Sequence, residues 1–201
     1  KRLINKNKKI LNGIPLIEYT FKFAKENNFD KIIVSSDDNE ILEMAKSYGY
    51  ILHKRDFKLS GDESLIKDLL KNIIINFSIG KNDIICLLQP TNPIRENDLY
   101  KKAIDLYNKG DYDTIMSISK LTKKIGVVSK DVFLPNYIPG ARSQDINFNF
   151  YENGDIYIIK SSNLINDTLF GNKIGYLITG ENIPNIDIDS QYDFDICKMI
   201  L

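Results

Sequence analysis

The stretch IPNIDIDSQYDF, residues 183–194, places two carboxylates one residue apart at the end of an apolar run. In an extended chain, residues i and i+2 share a face about 6.6 Å apart, so Asp187 and Asp189 are expected to point the same way. At that spacing they repel by about 2–3 kcal/mol if the effective dielectric is about 20. A shared hard divalent cation turns that repulsion into a binding site. The competing reading is a loop whose acids simply face water.

A second run, LLQPTNPIR at residues 87–95, has the chemistry of recognition. Pro90 and Pro93 stop the preceding strand and bias Gln89 and Asn92 away from helix, which fixes the Gln89 amide and the Thr91 hydroxyl in direction. An ordinary strand-to-helix turn, capped by Asn92 or Asn97, is the alternative.

Both runs need a scaffold that gathers strand ends. PLIEYTFKFAKENN opens with a proline suited to a first helical turn and carries Leu16, Tyr19 and Phe23 at helical spacing. KIIVSSDD reads as a short buried strand ending in acids, NEILEMAKSYG as a helix begun by Asn39 and stopped by Gly49, and YILHK as a strand. SLIKDLLKNIIINF reads as a helix capped by Ser64 or Asp62. DIICLLQ is too apolar for a strand with a wet face, NDLYKKAIDLYNKG is helical, and DTIMSIS is another strand. This alternation predicts a parallel sheet covered by helices on both faces, with right-handed crossovers.

After Ser119 the alternation fails, and a polar and aromatic stretch with two prolines and three glycines follows. It reads as a protruding arm over residues 120–152. GDIYIIK then returns as a strand, SSNLIND as a short helix, KIGYLITG as a strand and SQYDFDICKMIL as the last helix. Ligands of open parallel sheets bind beyond the carboxyl ends of the strands. SSDD, LQPTNPIR and DIDS all fall on such ends.

A chain of 201 residues suits one domain, 1–201, around one substantial core. Its 27 basic and 27 acidic residues give a formal charge of +0, so no global field favours nucleic acid or an anionic membrane. No apolar run approaches the roughly 20 residues that span a bilayer, and the N-terminus carries no secretory apolar region. A cytoplasmic protein is expected, with Cys86 and Cys197 as buried free thiols and no zinc-ligand spacing. The first residue is Lys1 rather than Met, which suggests a start inside a longer reading frame.

In these runs the sequence resembles the cytidylyltransferases that activate nine-carbon acidic sugars, the CMP-sialic acid synthetases and their legionaminic and pseudaminic acid counterparts. Their LQPTSPLR pattern stands here as LQPTNPIR, and their Lys-Asn pair before a PLI helix as INKNKKILNGIPLIEYT. STDS stands as SSDD, the RP-then-LSxD pattern as KRDFKLSGDES, NGxIYI as NGDIYI, and SIDIDTEEDF as NIDIDSQYDF. Six motifs in family order cover nearly the whole chain. The family's basic, Gly-rich ARGGSK loop is expected to precede Lys1, so the chain as it stands is expected to be poorly active. In the arm the usual Arg-Gln pair reads RSQ, and Phe150 stands where a Tyr is common.

The resemblance implies a three-layer α/β/α fold with a mostly parallel, Rossmann-like sheet of the nucleotide-diphospho-sugar transferase kind. It implies attack of a nonulosonic acid's anomeric hydroxyl on the α-phosphate of CTP, releasing pyrophosphate. Mg2+ is the implied cofactor, with Asp187 and Asp189 as its carboxylate ligands and Asp189 the more direct. Lys6, Asn7, Arg55, Ser64 and Gln89 match family positions near the nucleotide, and Lys6 with Asp189 is assigned to catalysis. Gln89, Arg142, Gln144 and Asn153 are assigned to the sugar. The arm implies a homodimer, a contact that Phe148, Phe150 and Tyr151 would fit, although a small satellite core would use them as well. His53 is given no catalytic role.

A metal-dependent glycosyltransferase would also use an Asp-x-Asp pair but leaves LQPTNPIR and KNKKILNGIPLI unexplained. An aspartyl-phosphate phosphatase needs its acidic pair near the start of its domain. A catalytically degenerate nucleotide-binding module is the non-enzymatic alternative.

Overall fold

The computed structural model describes residues 3–61, 64–142, 149–181 and 183–201. A 3-10 turn at Lys6–Lys8 leads into a small hairpin of β1 (Ile10–Leu11) and β2 (Ile14–Pro15), which reverses at Asn12 and Gly13 with φ of 44° and 91°. Pro15 then launches α1 (Leu16–Glu26), which buries Leu16, Ile17, Phe21 and Phe23. β3 (Ile33–Ser36) and β4 (Ile51–Lys54) form a parallel pair joined by α2 (Asn39–Ser47).

The cap of α2 is one residue earlier than expected. Asp38, not Asn39, accepts the Glu40 N–H at 2.8 Å, while Gly49 at φ 78° supplies the expected stop. The next helix, α3 (Ile66–Asn76), has no side-chain cap among the described residues. Leu65 precedes it, Ser64 donates its hydroxyl to the Lys58 carbonyl instead, and Asp62 lies outside the described residues.

The second half of the chain supplies β5 (Ile84–Leu87), α4 (Leu99–Lys109), β6 (Thr114–Leu121), β7 (Gly126–Ser129) and β8 (Val132–Pro135). β9 (Asn149–Lys160), α5 (Ser161–Ile165), β10 (Ile174–Ile178) and α6 (Gln191–Ile200) complete it. Four strands make one sheet in the order β10-β6-β9-β5. β10 runs parallel to β6, whereas β9 is antiparallel to both β5 and β6. The expected parallel pairing is therefore interrupted by β9, and the arm is the reason. β6 leads out into the arm and β9 leads back beside it, with no helical crossover to restore a parallel direction.

Helices cover both faces of this sheet. Along β6 and β9, alternate residues enter opposite cores. Met116, Tyr157 and Ile159 pack with Leu69, Leu70 and Ile73 of α3 and Leu164 of α5, while Ile115, Ile156 and Ile158 pack with Phe23 of α1 and Leu99 and Ala103 of α4. A third cluster joins Leu11, Leu16, Phe194 and Cys197 to Ile188. Both cysteines are free, Cys197 fully buried and Cys86 half-buried.

The register between β6 and β9 breaks at one place. Met116 faces Tyr157 but Ile118 faces Glu152, so Ser117 alone opposes the four residues Asn153, Gly154, Asp155 and Ile156. Such a bulge re-aims side chains, and here it falls on the NGDIYI motif. In the arm, β7 and β8 form a hairpin whose central residues Lys130 and Asp131 both have positive φ, 49° and 63°, the geometry that matches strand twist in a two-residue turn.

Candidate active site

The acidic pair is oriented by the residue between it. Ile188 is 0% exposed, while Asp187 and Asp189 on either side are exposed. Burying that one side chain stabilises the loop by about 1.5–3 kcal/mol and turns both carboxylates outward. The loop backbone is tied to the proline turn, because Ile188 N–H donates to the Thr91 carbonyl at 2.8 Å. Behind it, Ser190 caps α6 in a reciprocal box with Asp193, whose carboxyl is held below the usual range by the Ser190 hydroxyl and backbone N–H.

Lys6 reaches this loop across the whole length of the chain. Its ammonium donates to the Ile188 carbonyl at 2.6 Å and to Asp189 Oδ1 at 2.9 Å. At the other end of the same 3-10 turn, Lys8 pairs with Asp38 at 2.8 Å and Glu40 at 3.2 Å. That contact holds Asp38 below its ordinary value and raises Lys8. Between the two lysines, the Asn7 carboxamide oxygen is buried without a hydrogen-bond partner among the described residues. A buried acceptor of this kind is open to a donor from outside the described residues, whether water or ligand. One short turn thus spans from the end of β3 to the acidic loop.

The proline turn is held from below by Arg95, which is 8% exposed. Its guanidinium donates to the Gln89 carbonyl at 2.6 Å, the Asp155 carbonyl at 2.8 Å and the Thr20 hydroxyl at 3.1 Å, with the Phe23 ring 5.5 Å away. Burial pushes its pKa down to about 10 against the opposing pull of Asp155. The Gln89 side chain lies over the bulge: a Cβ on Gly154, which has φ 79°, would sit 2.8 Å from Gln89 Oε1 and 3.0 Å from Asn92 Oδ1. Only glycine fits both the conformation and the approach.

Other expected residues are placed differently. Asn153 is 4% exposed, and its amide donates to Ser119 Oγ at 2.7 Å and Thr179 Oγ1 at 2.6 Å, while its carbonyl accepts from Asn92. In this arrangement its amide donates to two neighbouring hydroxyls. Arg55 follows β4 and donates to the Ser35 carbonyl at 2.8 Å, its pKa lowered by burial. His53 is buried between Ser35 and Asn72, each at 2.9 Å, which accounts for it as structure. Ser64 stays with the Lys58 loop, and Arg142 is exposed at the arm. Gln144 and Phe148 lie outside the described residues, whereas Phe150 and Tyr151 are exposed.

Two carboxylates with oxygen ligands on one rim suit magnesium, which keeps several waters and takes its remaining ligands from phosphates. Among the described residues no group of three or more His, Cys, Asp or Glu is arranged to hold a metal ion. Sequence reasoning missed the buried Asp155 and Thr179 and their half-buried partner Asn185. The only available signal was a lone acid, Asp155, inside an apolar strand.

A family model described as cytidylyltransferase matches residues 1–198. The N-acylneuraminate cytidylyltransferase A of Danio rerio is 30% identical over 198 residues, 94% of this chain and 45% of that protein. The N-acylneuraminate cytidylyltransferase of Streptococcus agalactiae serotype III is 29% identical over 203 residues, 96% of this chain and 49% of that protein. The chain thus spans about half the length of these two curated relatives. The CMP-N,N'-diacetyllegionaminic acid synthase of Legionella pneumophila is 26% identical over 215 residues, 100% of this chain and 91% of that protein. In fold, a CMP:2-keto-3-deoxy-manno-octonic acid synthetase solved with CTP superposes with a TM-score of 0.68 at 13% identity, covering 99% of this chain and 92% of that one. A 4-diphosphocytidyl-2C-methyl-D-erythritol synthase does so with a TM-score of 0.70 at 6% identity, covering 97% and 94%. At those identities the likeness establishes the α/β fold alone.

Proposed function

Because the chain belongs to the cytidylyltransferase family, we propose that it activates a nonulosonic, sialic-acid-like sugar acid, converting CTP and the sugar into a CMP-sugar and pyrophosphate. A bond forms between the sugar's anomeric oxygen and the α-phosphorus, the bond from that phosphorus to the pyrophosphate oxygen breaks so that pyrophosphate leaves, and the hydroxyl proton passes to solvent water. The observation that carries this reading is the contact of Lys6 with Asp189 at 2.9 Å, on a loop that is itself bonded to the proline turn.

Triphosphate and sugar carboxylate are both anionic, so the reaction needs positioned cations and donors more than a nucleophilic side chain. Lys6 and Arg55 supply charge, with Lys6 able to exchange Asp189 for a phosphate oxygen. The unpartnered Asn7 oxygen accepts from a nucleotide donor, and the Gln89 amide, fixed over Gly154, orients the sugar. Asp187 and Asp189 hold magnesium, which when bound neutralises phosphate charge. Arg142 and Gln144 of the arm complete the sugar site of a second subunit, so the working unit is a homodimer. Among the described residues no helix is long and apolar enough to cross a membrane; the enzyme is assigned to the cytoplasm, supplying sugars for the cell surface.

The test is pyrophosphate release from CTP with N-acetylneuraminic or legionaminic acid and Mg2+. Asp189→Ala is expected to lower the rate at least about 100-fold, roughly 3 kcal/mol. Turnover of a CMP-sugar donor without pyrophosphate release from CTP would favour a glycosyltransferase and sink this reading.

A further inference from the structure

The segment from Thr179 to Ser190 carries the acidic pair but has neither strand nor helix among its described residues. Among the described residues its backbone bonds to the sheet side are Thr179 N–H to the Ile118 carbonyl at 2.9 Å and Ile188 N–H to the Thr91 carbonyl. A segment without periodic structure takes its shape from its anchors. Ile188 fixes the depth of the loop, and Lys6 and the Leu3 N–H hold its far end at Ile188 and Asp189, which leaves the approach from Thr179 to Asn185 to take an anchor of its own.

The second anchor is Asp155, which is 4% exposed in the bulge of β9. Its two carboxylate oxygens each serve one end of the approach to the acidic pair. Oδ2 accepts from the Thr179 hydroxyl at 2.7 Å, where the segment leaves β10, and Oδ1 accepts from the Asn185 amide at 2.5 Å, two residues before Asp187. The Asp155 backbone is fixed in turn by Arg95, which donates to its carbonyl at 2.8 Å, and its N–H donates to Asn153 Oδ1 at 3.3 Å. Thus the guanidinium that holds the proline turn also holds the residue that holds the acidic loop. Asp155 occupies the unrestricted third position of the NGxIYI pattern, so the motif itself does not call for a carboxylate there.

We infer that Asp155 is a positioning residue: acting through Asn185 and Thr179, it sets the orientation of Asp187 and Asp189 toward a divalent cation bound with nucleotide. This rests on the function proposed above. Asp155→Asn keeps the size of the side chain but leaves one oxygen for two donors, so the Asn185 tether is lost. Exchanging the partners, Asp155→Asn with Asn185→Asp, rebuilds the tether with its direction reversed, because the new amide at 155 donates to the new carboxylate at 185 and still accepts from Thr179.

The experiment measures Mn2+ binding by electron paramagnetic resonance in the presence of CTP, alongside CTP binding without metal and thermal melting, for wild type, Asp155→Asn, Asn185→Ala and the exchanged pair. Each single variant is expected to weaken Mn2+ binding about 10-fold, as loss of an outer-shell partner does, while metal-free CTP binding and melting hold. The exchanged pair is expected to recover most of the loss. Unchanged Mn2+ affinity in the single variants overturns the inference, as does a parallel loss of metal-free CTP binding and melting temperature that the exchange does not repair. A wild-type chain that binds no Mn2+ with CTP defeats the functional reading itself, and the inference with it.

Discussion

β6 and β9 pass through two environments along one ladder. In the inner part, from Thr114 to Ser119 on one strand and from Asn153 to Ile159 on the other, nearly every residue is buried, and the polar ones are cross-linked: Asn153 to Ser119 and Thr179, Ser117 to Ile156, Asp155 to Asn185. Beyond Lys120, the chain runs into a hairpin whose apolar residues are left in water, Val128 at 72% and Phe133 at 51%. The inner region satisfies its own polar atoms. The outer one exposes apolar surface of the kind that marks an interaction site. Removing a buried donor that serves several acceptors around the first should therefore cost stability, and changes in the second should cost association.

The largest effect expected on this view is at Arg95. Arg95→Leu leaves the Gln89 and Asp155 carbonyls and the Thr20 hydroxyl without their donor, and each buried orphan costs about 1–3 kcal/mol, so a loss of about 3–5 kcal/mol in urea unfolding is expected. Arg95→Lys should fall between, because one ammonium cannot span three acceptors in a planar fork. A loss below about 1 kcal/mol for the leucine variant would mean that the turn and the bulge are held by something else, and the contrast with the arm would weaken.

A smaller effect is expected at the rim, where Lys8 pairs with Asp38. Asp38→Asn keeps an acceptor for the α2 cap but removes the charge that Lys8 faces, for a cost of about 0.5–1 kcal/mol at neutral pH. Lys8 holds the Asp38 carboxyl below its usual range, so the contribution of the pair is present above the unfolded value of about 4 and is lost as pH falls through the lower folded value. Lys8 is raised, so on the alkaline side the pair persists until pH passes the upper end of the lysine range. Unfolding curves of the two proteins should converge in acid and stay apart at pH 7.

Much of this architecture was legible because periodicity reports burial. α1 and α3 fall where their apolar spacing placed them, and Asp187 and Asp189 flank a buried Ile188 as an i, i+2 pair should, whereas β5, read as too apolar for a wet face, ends the four-stranded sheet with Ile84 40% exposed. What escaped were features set by partners distant in sequence. The direction of β9 depends on where the arm returns, which no local pattern records. Asp38 and Asn39 are both good caps, and only the backbone φ and ψ at the helix entrance choose between them. Asn153 looked like a polar group awaiting a sugar, but the bulge turns it inward onto Ser119 and Thr179, and the Asp155–Asn185 bond joins residues 30 apart that no motif connects.

The smallest effect on stability should come from the arm, and it is the sharpest test of the contrast. Val128 and Phe133 are register partners across the β7–β8 hairpin, and a cross-strand pair of this type contributes only about 0.2–1 kcal/mol. Replacing both with serine, Val128→Ser and Phe133→Ser, removes little buried surface from the isolated chain, so its unfolding free energy should change by no more than about 0.5 kcal/mol, as is usual for exposed sites. Sedimentation should respond quite differently: if a second subunit covers this face, the double variant shifts the protein toward monomer at concentrations where the wild type is paired. An arm that instead serves as a satellite core would give the reverse pattern, a clear loss in unfolding free energy with no change in sedimentation. The two measurements move in opposite directions under the two assignments because a hairpin holding its own apolar face registers the loss within one chain, whereas a hairpin awaiting a partner registers it only between chains.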